Sequence, residues 1–356
     1  MDIFEATTAY ESWLRTVTEV DSEALQVKHK AMCDGAFRFL RAAYYDWIAL
    51  WQSMPAEIKA APVCPSIGDI HIENFGTWRD AEGRLIWGIN DYDEATELPY
   101  TNDLVRLATS VLLAIEDDRL EMKPRESCEA ILSGYTRGLE RGAKVFVLAE
   151  DNDWLRDIAR RQIKDPGKFF RSMESLPDAA PPARVIEILK GILPEPFRVK
   201  KRIAGLGSLG RQRYAAIAEV AGSRIVREVK ANCPPSQNAF GSVAESLRAR
   251  ILENRPTSPD PFLLDASDYT VRRLAPDCTK IEISLIGKTS DQIRLLASMG
   301  REISNVHCMR VESGLSAADS ISSHLKSAPD RWLYHAACTM ADRIASRQKT
   351  WRRKMK

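Results

Sequence analysis

FRVKKRIAGLGSLGRQRYAAIAEVAGSRIVREVKAN, residues 197–232, is the stretch that decides the fold. Its short alternating or β-branched runs are broken by glycines. That pattern predicts three antiparallel strands, with turns near Gly205 to Gly210 and at Gly222. GLGSLG, residues 205–210, fits a G-x-G-x-x-G, which many turns satisfy by chance. A dinucleotide-binding reading needs a helix directly after the loop. Strands follow instead, RYAAIAEV and then RIVREVK, and Lys230 closes the second. Glycine backbone permits close approach to a phosphate, and a Lys supplies a point charge. Gly205, Gly207, Ser208, Gly210 and Lys230 are therefore candidate phosphate-binding residues, against the plainer reading of Lys230 as an exposed strand end.

Strand, glycine loop, strand, turn and strand with a terminal Lys is the order in which protein kinases cover and grip nucleotide phosphates. A helix expected over about 238–253 carries Glu245, the candidate ion-pair partner of Lys230, with Glu253 as the weaker choice. Further strands are expected over about 268–286, and helices from about 289 onward.

Two acidic stretches lie upstream. IGDIHIENFG, residues 67–76, holds Asp69, His71, Glu73 and Asn74 between two glycines, and INDYDEA, residues 89–95, holds Asp91 and Asp93. VCPSI and RLIWGIN read as two short strands flanking an active loop. Asp69 suits a carboxylate placed near a reacting hydroxyl, and Asn74 an amide oxygen near a metal. Mg²⁺ commonly takes one or two carboxylates plus substrate phosphates, so Asn74, Asp91 and Asp93 form a candidate ligand set. His71 with Asp69 and Asp91 could instead ligate Fe(II), and each stretch alone could be a polar turn capped by its own side chains.

TNDLVRLATSVLLAIEDD, residues 101–118, predicts an amphipathic helix capped by Thr101 or Asn102, with Asp103 at its positive end and a core-packing stripe. Residues 1–60 and the region up to about 163 also read as helical, and the Pro-rich segment Pro177 to Pro182 as a boundary. Arg106 and Arg211 could contact anions, although an i,i+3 pair of Asp103 with Arg106 explains the first. The basic tail RQKTWRRKMK reads as a solvated helix end.

The chain has 356 residues, enough for a two-lobed enzyme. Lys plus Arg number 51 and Asp plus Glu 49, a net charge of +2 that gives no bulk argument for nucleic acid or membrane. Neither a signal peptide nor an apolar run of about 20 residues is present, so a cytoplasmic protein is expected. Seven scattered cysteines without a C-x-x-C pair fit reduced thiols rather than a zinc site.

GDIHIENFG, INDYDEA and LPYTNDLVRLATS, with GLGSLG and REVKA downstream and MCDGAFRFLRAAYYDW before them, resemble the uncharacterised bacterial family catalogued as domain of unknown function 2252. That family is similar to protein-kinase-like and aminoglycoside-phosphotransferase-like enzymes. The resemblance implies that Asp69 is the catalytic-loop Asp, Asn74 the metal-binding Asn after it, and Asp91 the metal Asp, with Asp93 a further acid. It implies that Asp103 braces the catalytic loop, and that His71 positions substrate or braces the loop. In ordinary kinases the glycine loop precedes the catalytic loop; here it follows, so the resemblance implies circular permutation. The expectation is an α+β, two-lobed, kinase-like fold: a helical lobe over 1–190, a small β-rich nucleotide lobe over 191–286, and completing helices over 287–356. The expected activity is ATP- and Mg²⁺-dependent phosphotransfer to an unidentified hydroxyl. A non-catalytic nucleotide-binding pseudokinase and an AMP transferase on the same fold are the alternatives.

Overall fold

Ala215 on one face of Arg213–Val220 and Ala216 and Ala218 on the other are small, so each face of that strand can take a helix closely. The computed structural model describes residues 1–150, 152–254, 258–309 and 317–355. Its strands are β1 (Val63–Ser66), β2 (Phe75–Arg79), β3 (Leu85–Ile89), β4 (Thr96–Pro99), β5 (Phe146–Val147), β6 (Phe197–Lys201), β7 (Arg213–Val220), β8 (Ser223–Ala231), β9 (Leu264–Asp265) and β10 (Tyr269–Leu274). They form a two-stranded sheet β1-β4, a three-stranded sheet β2-β3-β5, and a five-stranded antiparallel sheet in the order β6-β7-β8-β10-β9. The fold is mixed α+β, with several small sheets among many helices.

β7 and β8 join at Ala221 and Gly222, whose φ values of 48° and 75° put two left-handed residues at the tip. Such a turn matches the twist of paired strands. Tyr214, Ala216 and Ala218 pack on Val185, Ile188 and Leu189 of the helix Ala183–Lys190. Ala215 and Ile217 pack on Phe169 of the helix Pro166–Glu174. The unit built on this sheet therefore takes in helices on both sides of the Pro-rich segment. The expected boundary near residue 190 cuts across that packing, because proline marks a turn and not the partner a helix chooses.

The helix Tyr100–Glu116 is the centre of the helical part, and every residue from Tyr100 to Ala114 is buried. The expected stripe is thus a helix packed on all sides, lying against the helices Trp332–Lys354, Pro124–Arg141, Ala36–Ala42 and Thr289–His307. Its N-cap is Pro99, and Thr101 and Asn102 instead bond Ile58 O and the Trp47 indole N–H. The helices Pro124–Arg141 and Thr289–His307 cross at glycines. A Cβ on Gly134 would lie 1.8 Å from Ala297 O, and one on Gly300 2.1 Å from Ile131 O.

The two strands expected around the acidic loop are β1 and β3; β1 pairs with β4 and β2 with β3, so the 67–74 loop joins two different sheets. Two further expectations are corrected. The helix expected over 238–253 is a short turn at Ser236–Phe240 and a helix only at Arg248–Asn254, since Gly241 with φ 81° breaks it. After β10 the chain carries no strand among the described residues, only a bridge of Lys280 to Gly76. The C-terminal part is helical at Thr289–His307, Ala318–Ser327 and Trp332–Lys354, and residues 310–316 lie outside the described residues. Among the described residues, no helix is long and apolar enough to cross a membrane.

Candidate functional site

The loop between β1 and β2 hangs on Asp103, in the first turn of the central helix. Its buried carboxylate accepts from Ile67 N at 2.7 Å and Gly68 N at 3.0 Å. Oδ2 also meets His307 Nε2 at 3.0 Å, while Tyr135 OH meets His307 Nδ1 at 2.8 Å. A carboxylate only accepts, so His307 Nε2 carries the hydrogen that Asp103 receives. Gly68 has φ 78°, and a Cβ there would lie 2.4 Å from Glu94 O.

Asp69 is held by Arg106, whose side chain is fully buried. Arg106 donates to Asp69 Oδ1 through Nε at 3.1 Å and through Nη2, and to Leu40 O at 3.0 Å. The rings of Tyr44 and Trp47 lie 4.7 and 4.9 Å from its guanidinium. The expected Asp103–Arg106 pair does not form, because Asp103 is taken by backbone amides and His307. Burial raises the Asp69 carboxyl above its ordinary value, with Arg106 pulling the other way. His71 Nδ1 accepts from Glu73 N at 3.2 Å. Burial, then Arg41, Lys280 and Arg106, push its pKa well down, so the ring is neutral with its hydrogen on Nε2.

Asn74 ties the two acidic stretches together, its Nδ2 donating to Asp69 O at 3.2 Å and Asp91 O at 3.1 Å. That leaves Oδ1 as its available acceptor. Lys230, at the end of β8, brings Nζ to 2.8 Å from Asp93 Oδ1 and 3.3 Å from Asp91 Oδ2. Arg211 donates to Asp93 Oδ2 at 2.9 Å and Glu94 Oε1 at 3.2 Å. Both oxygens of Asp93 are thereby occupied by cations. Burial raises its pKa, and Lys230 and Arg211 more than reverse this. Arg211 is a buried counter-ion, not a surface anion contact. Glu245 is exposed and lies in the coil before the helix Arg248–Asn254, so the carboxylates meeting Lys230 are Asp91 and Asp93. Glu253 is exposed as well.

The glycine loop closes on the same place. A Cβ on Gly207 would sit 3.0 Å from Asp69 Oδ2 and 3.2 Å from Arg41 O. Gly205 and Gly210 have φ 76° and 103°. Ser208 Oγ bonds Arg213 Nη2 at 2.5 Å, and Arg213 continues to Glu228 Oε1 at 2.9 Å. Lys28 donates to Gly207 O at 3.2 Å, and burial lowers its pKa to about 8. Glu228, fully buried, also takes Arg202 and Arg272. Sequence reasoning missed Glu228, although its place two residues before Lys230 on a strand sets both on one face. Lys28, Arg213 and Glu94 carried no spacing signal.

Asp69, His71, Asn74, Asp91, Ser208 and Lys230 line one cavity of about 780 Å³ between the 67–76 loop, the glycine loop and β8. Asn74 Oδ1 and the Asp91 carboxylate, 41 % exposed, are the hard oxygen donors that Mg²⁺ takes beside substrate phosphates, so these residues fit that ion. The set read for iron is not formed: Asp69 is held by Arg106, His71 Nδ1 by Glu73 N, and no group of three His, Cys, Asp or Glu side chains is arranged to hold a metal among the described residues.

Residues 20–166 match the model of a family described as an uncharacterized protein conserved in bacteria, DUF2252. The matched segment contains Asp69, His71, Asn74, Asp91, Asp93 and Asp103, and leaves the glycine loop and Lys230 outside. No curated protein and no solved structure matches the chain.

Proposed function

We propose that the chain is an ATP- and Mg²⁺-dependent phosphotransferase acting on a hydroxyl-bearing acceptor, with a permuted, two-lobed, kinase-like architecture. One observation supports this reading most: Lys230 from the sheet meets Asp91 and Asp93, more than 130 residues earlier in the chain, in the wall of the cavity that the glycine loop also lines. The Lys stands on the second strand after the glycine loop, the third counted from the strand that leads into it, as it does in kinases.

In this reading Asp69 orients the acceptor hydroxyl and takes its proton as the new O–P bond forms. The bridging O–P bond breaks, and its electron pair leaves with ADP. Burial makes Asp69 a better base, while Arg106 fixes the carboxylate's direction. Neutral His71 offers Nε2–H to the acceptor. Lys230 and the backbone of the glycine loop grip the phosphates, and Asp93 with Arg211 keeps Lys230 in place. Bound by Asn74 and Asp91, Mg²⁺ supplies charge neutralisation at the phosphates.

The test is calorimetric titration of the purified protein with ATP, with and without Mg²⁺. Mg²⁺-dependent binding lost in Lys230→Ala and Asp91→Ala supports the reading, and no binding at millimolar nucleotide ends it. Transfer of AMP is a second reading, favoured by Arg202, Arg213 and Arg272 around buried Glu228, which could seat a pyrophosphate beside Ser208. Label reaching the acceptor from α- rather than γ-labelled ATP separates the two. Binding with no transfer of either label marks a pseudokinase.

A further inference from the structure

The acceptor side of the cleft carries more positive charge than the loop itself uses. Glu73 is shared by three cations: Arg41 Nη1 at 2.7 Å, Arg119 Nη2 at 3.4 Å and Lys280 Nζ at 3.8 Å. One carboxylate balances one of them, so a surplus of two positive charges stands beside Asp69 and His71. Arg41 and Lys280 line the cavity. Arg41 Nε is buried without a hydrogen-bond partner among the described residues. The Phe37 ring holds the two guanidiniums, with Arg41 Cζ at 5.6 Å and Arg119 Cζ at 5.0 Å from its centroid. Lys280 lies beside the same loop, its backbone bridged to Gly76. Lys230, by contrast, belongs to Asp91 and Asp93, so the two cationic groups serve different carboxylates.

We propose that Arg41 and Lys280 bind the anionic group of the acceptor while Arg119 takes up Glu73, and that the acceptor is a small phosphomonoester carrying a free hydroxyl. A phosphomonoester brings about −1.5 to −2 charges at neutral pH, which matches the surplus. The planar Arg fork suits phosphate oxygens, and an ammonium adds a point charge. Asp69 and Glu73 lie on one short loop, so one small molecule reaches both with its hydroxyl at Asp69 and its phosphate at Glu73's cations. The inference rests on the phosphotransferase reading, because Asp69 defines which end of the cleft is the acceptor's.

The test is calorimetric titration of the full-length protein with glycerol 3-phosphate, and with glycerol as the uncharged control. Lys280→Gln and Arg119→Gln are the informative variants, since their side chains are 45 % and 42 % exposed, where substitutions usually change stability little. Wild type should bind glycerol 3-phosphate and not glycerol. Each variant should bind it roughly 10- to 100-fold more weakly, Lys280→Gln by losing a charge-assisted contact and Arg119→Gln by returning Glu73 to Arg41 and Lys280. Lys230→Ala should leave that affinity within about threefold. Wild-type affinity in both Gln variants, a loss confined to Lys230→Ala, or no binding by wild type overturns the proposal. ADP titrations keep the two readings apart. Phosphoester binding without ADP binding removes the phosphotransferase reading and leaves the anion site, and ADP binding without phosphoester binding does the reverse.

Discussion

Replacing Asp103 by Asn removes the charge on which the 67–76 loop hangs while keeping the side chain's shape. The carboxylate serves Ile67 N, Gly68 N and His307 Nε2–H at 2.7, 3.0 and 3.0 Å, all in a fully buried position. An amide keeps one oxygen, so one of the two loop N–H groups must face an NH₂ group. A hydrogen bond to a charged group contributes about 1.5–3 kcal/mol, and a buried donor left unpaired costs about 1–3 kcal/mol. The lower ends of both ranges together make local opening easier by about 2.5 kcal/mol, close to 100-fold in the opening equilibrium. Hydrogen exchange read by mass spectrometry is the suitable assay, because it reports local opening without requiring the whole chain to unfold in one step. Peptides spanning residues 63–72 should exchange about 100-fold faster at Ile67 and Gly68, with β7 peptides unchanged. A change below about threefold would refute the claim that this carboxylate holds the loop.

Asp46 is fully buried, and burial raises its carboxyl from the ordinary 3.8 to about 6, with Arg347 at 3.5 Å opposing. Folding thus favours its protonated form; that contribution is complete below the unfolded pKa and is lost as pH rises through about 6. Asp46→Asn should therefore stabilise the protein at pH 8 by up to about 3 kcal/mol and do little at pH 4, read from urea denaturation at both. Gly134→Ala drives a methyl into the carbonyl of Ala297, which is backbone and cannot turn aside. A loss of about 3 kcal/mol or more in the same assay is expected, and a neutral result would mean the two helices cross further apart. Gly207→Ala presses on Asp69 Oδ2 and Arg41 O with contacts that a few tenths of an ångström relieve. It should leave the urea midpoint unchanged and weaken ADP binding about 10-fold, and unchanged ADP affinity would place the nucleotide away from this loop.

The parts legible in the sequence were those whose cause is local. Alternation and Gly222 gave β6 to β8, and the crowding of acids between Ile67 and Ala95 marked the loops that line the cavity. What was not legible depends on partners chosen across the fold. Arg106 sits one turn from Asp103 and yet pairs with Asp69, 37 residues away, because backbone amides fill Asp103 first. Glu245 looked like the mate of Lys230 only while a helix was assumed through Gly241. The helices that cover the large sheet read as belonging to the segment before it.

The long-range pairs also share a physical consequence. Lys230 is neutralised by carboxylates 137 and 139 residues distant in the chain, in a site where its side chain is 10 % exposed. A phosphate that draws Lys230 away leaves the Asp91 carboxylate facing that phosphate with no cation between them, a like-charge contact that costs free energy. Under the proposed function, a divalent ion at Asn74 and Asp91 removes that cost. Nucleotide and Mg²⁺ should therefore bind with positive coupling, each strengthening the other by the same factor. Asp91→Asn uncouples them by design, because the amide leaves no charge for Lys230 to abandon. In that variant ATP affinity should no longer respond to Mg²⁺, while ATP alone should bind at least as well as to wild type. A variant that still shows the wild-type Mg²⁺ response would mean that Asp91 is not where the two ligands meet.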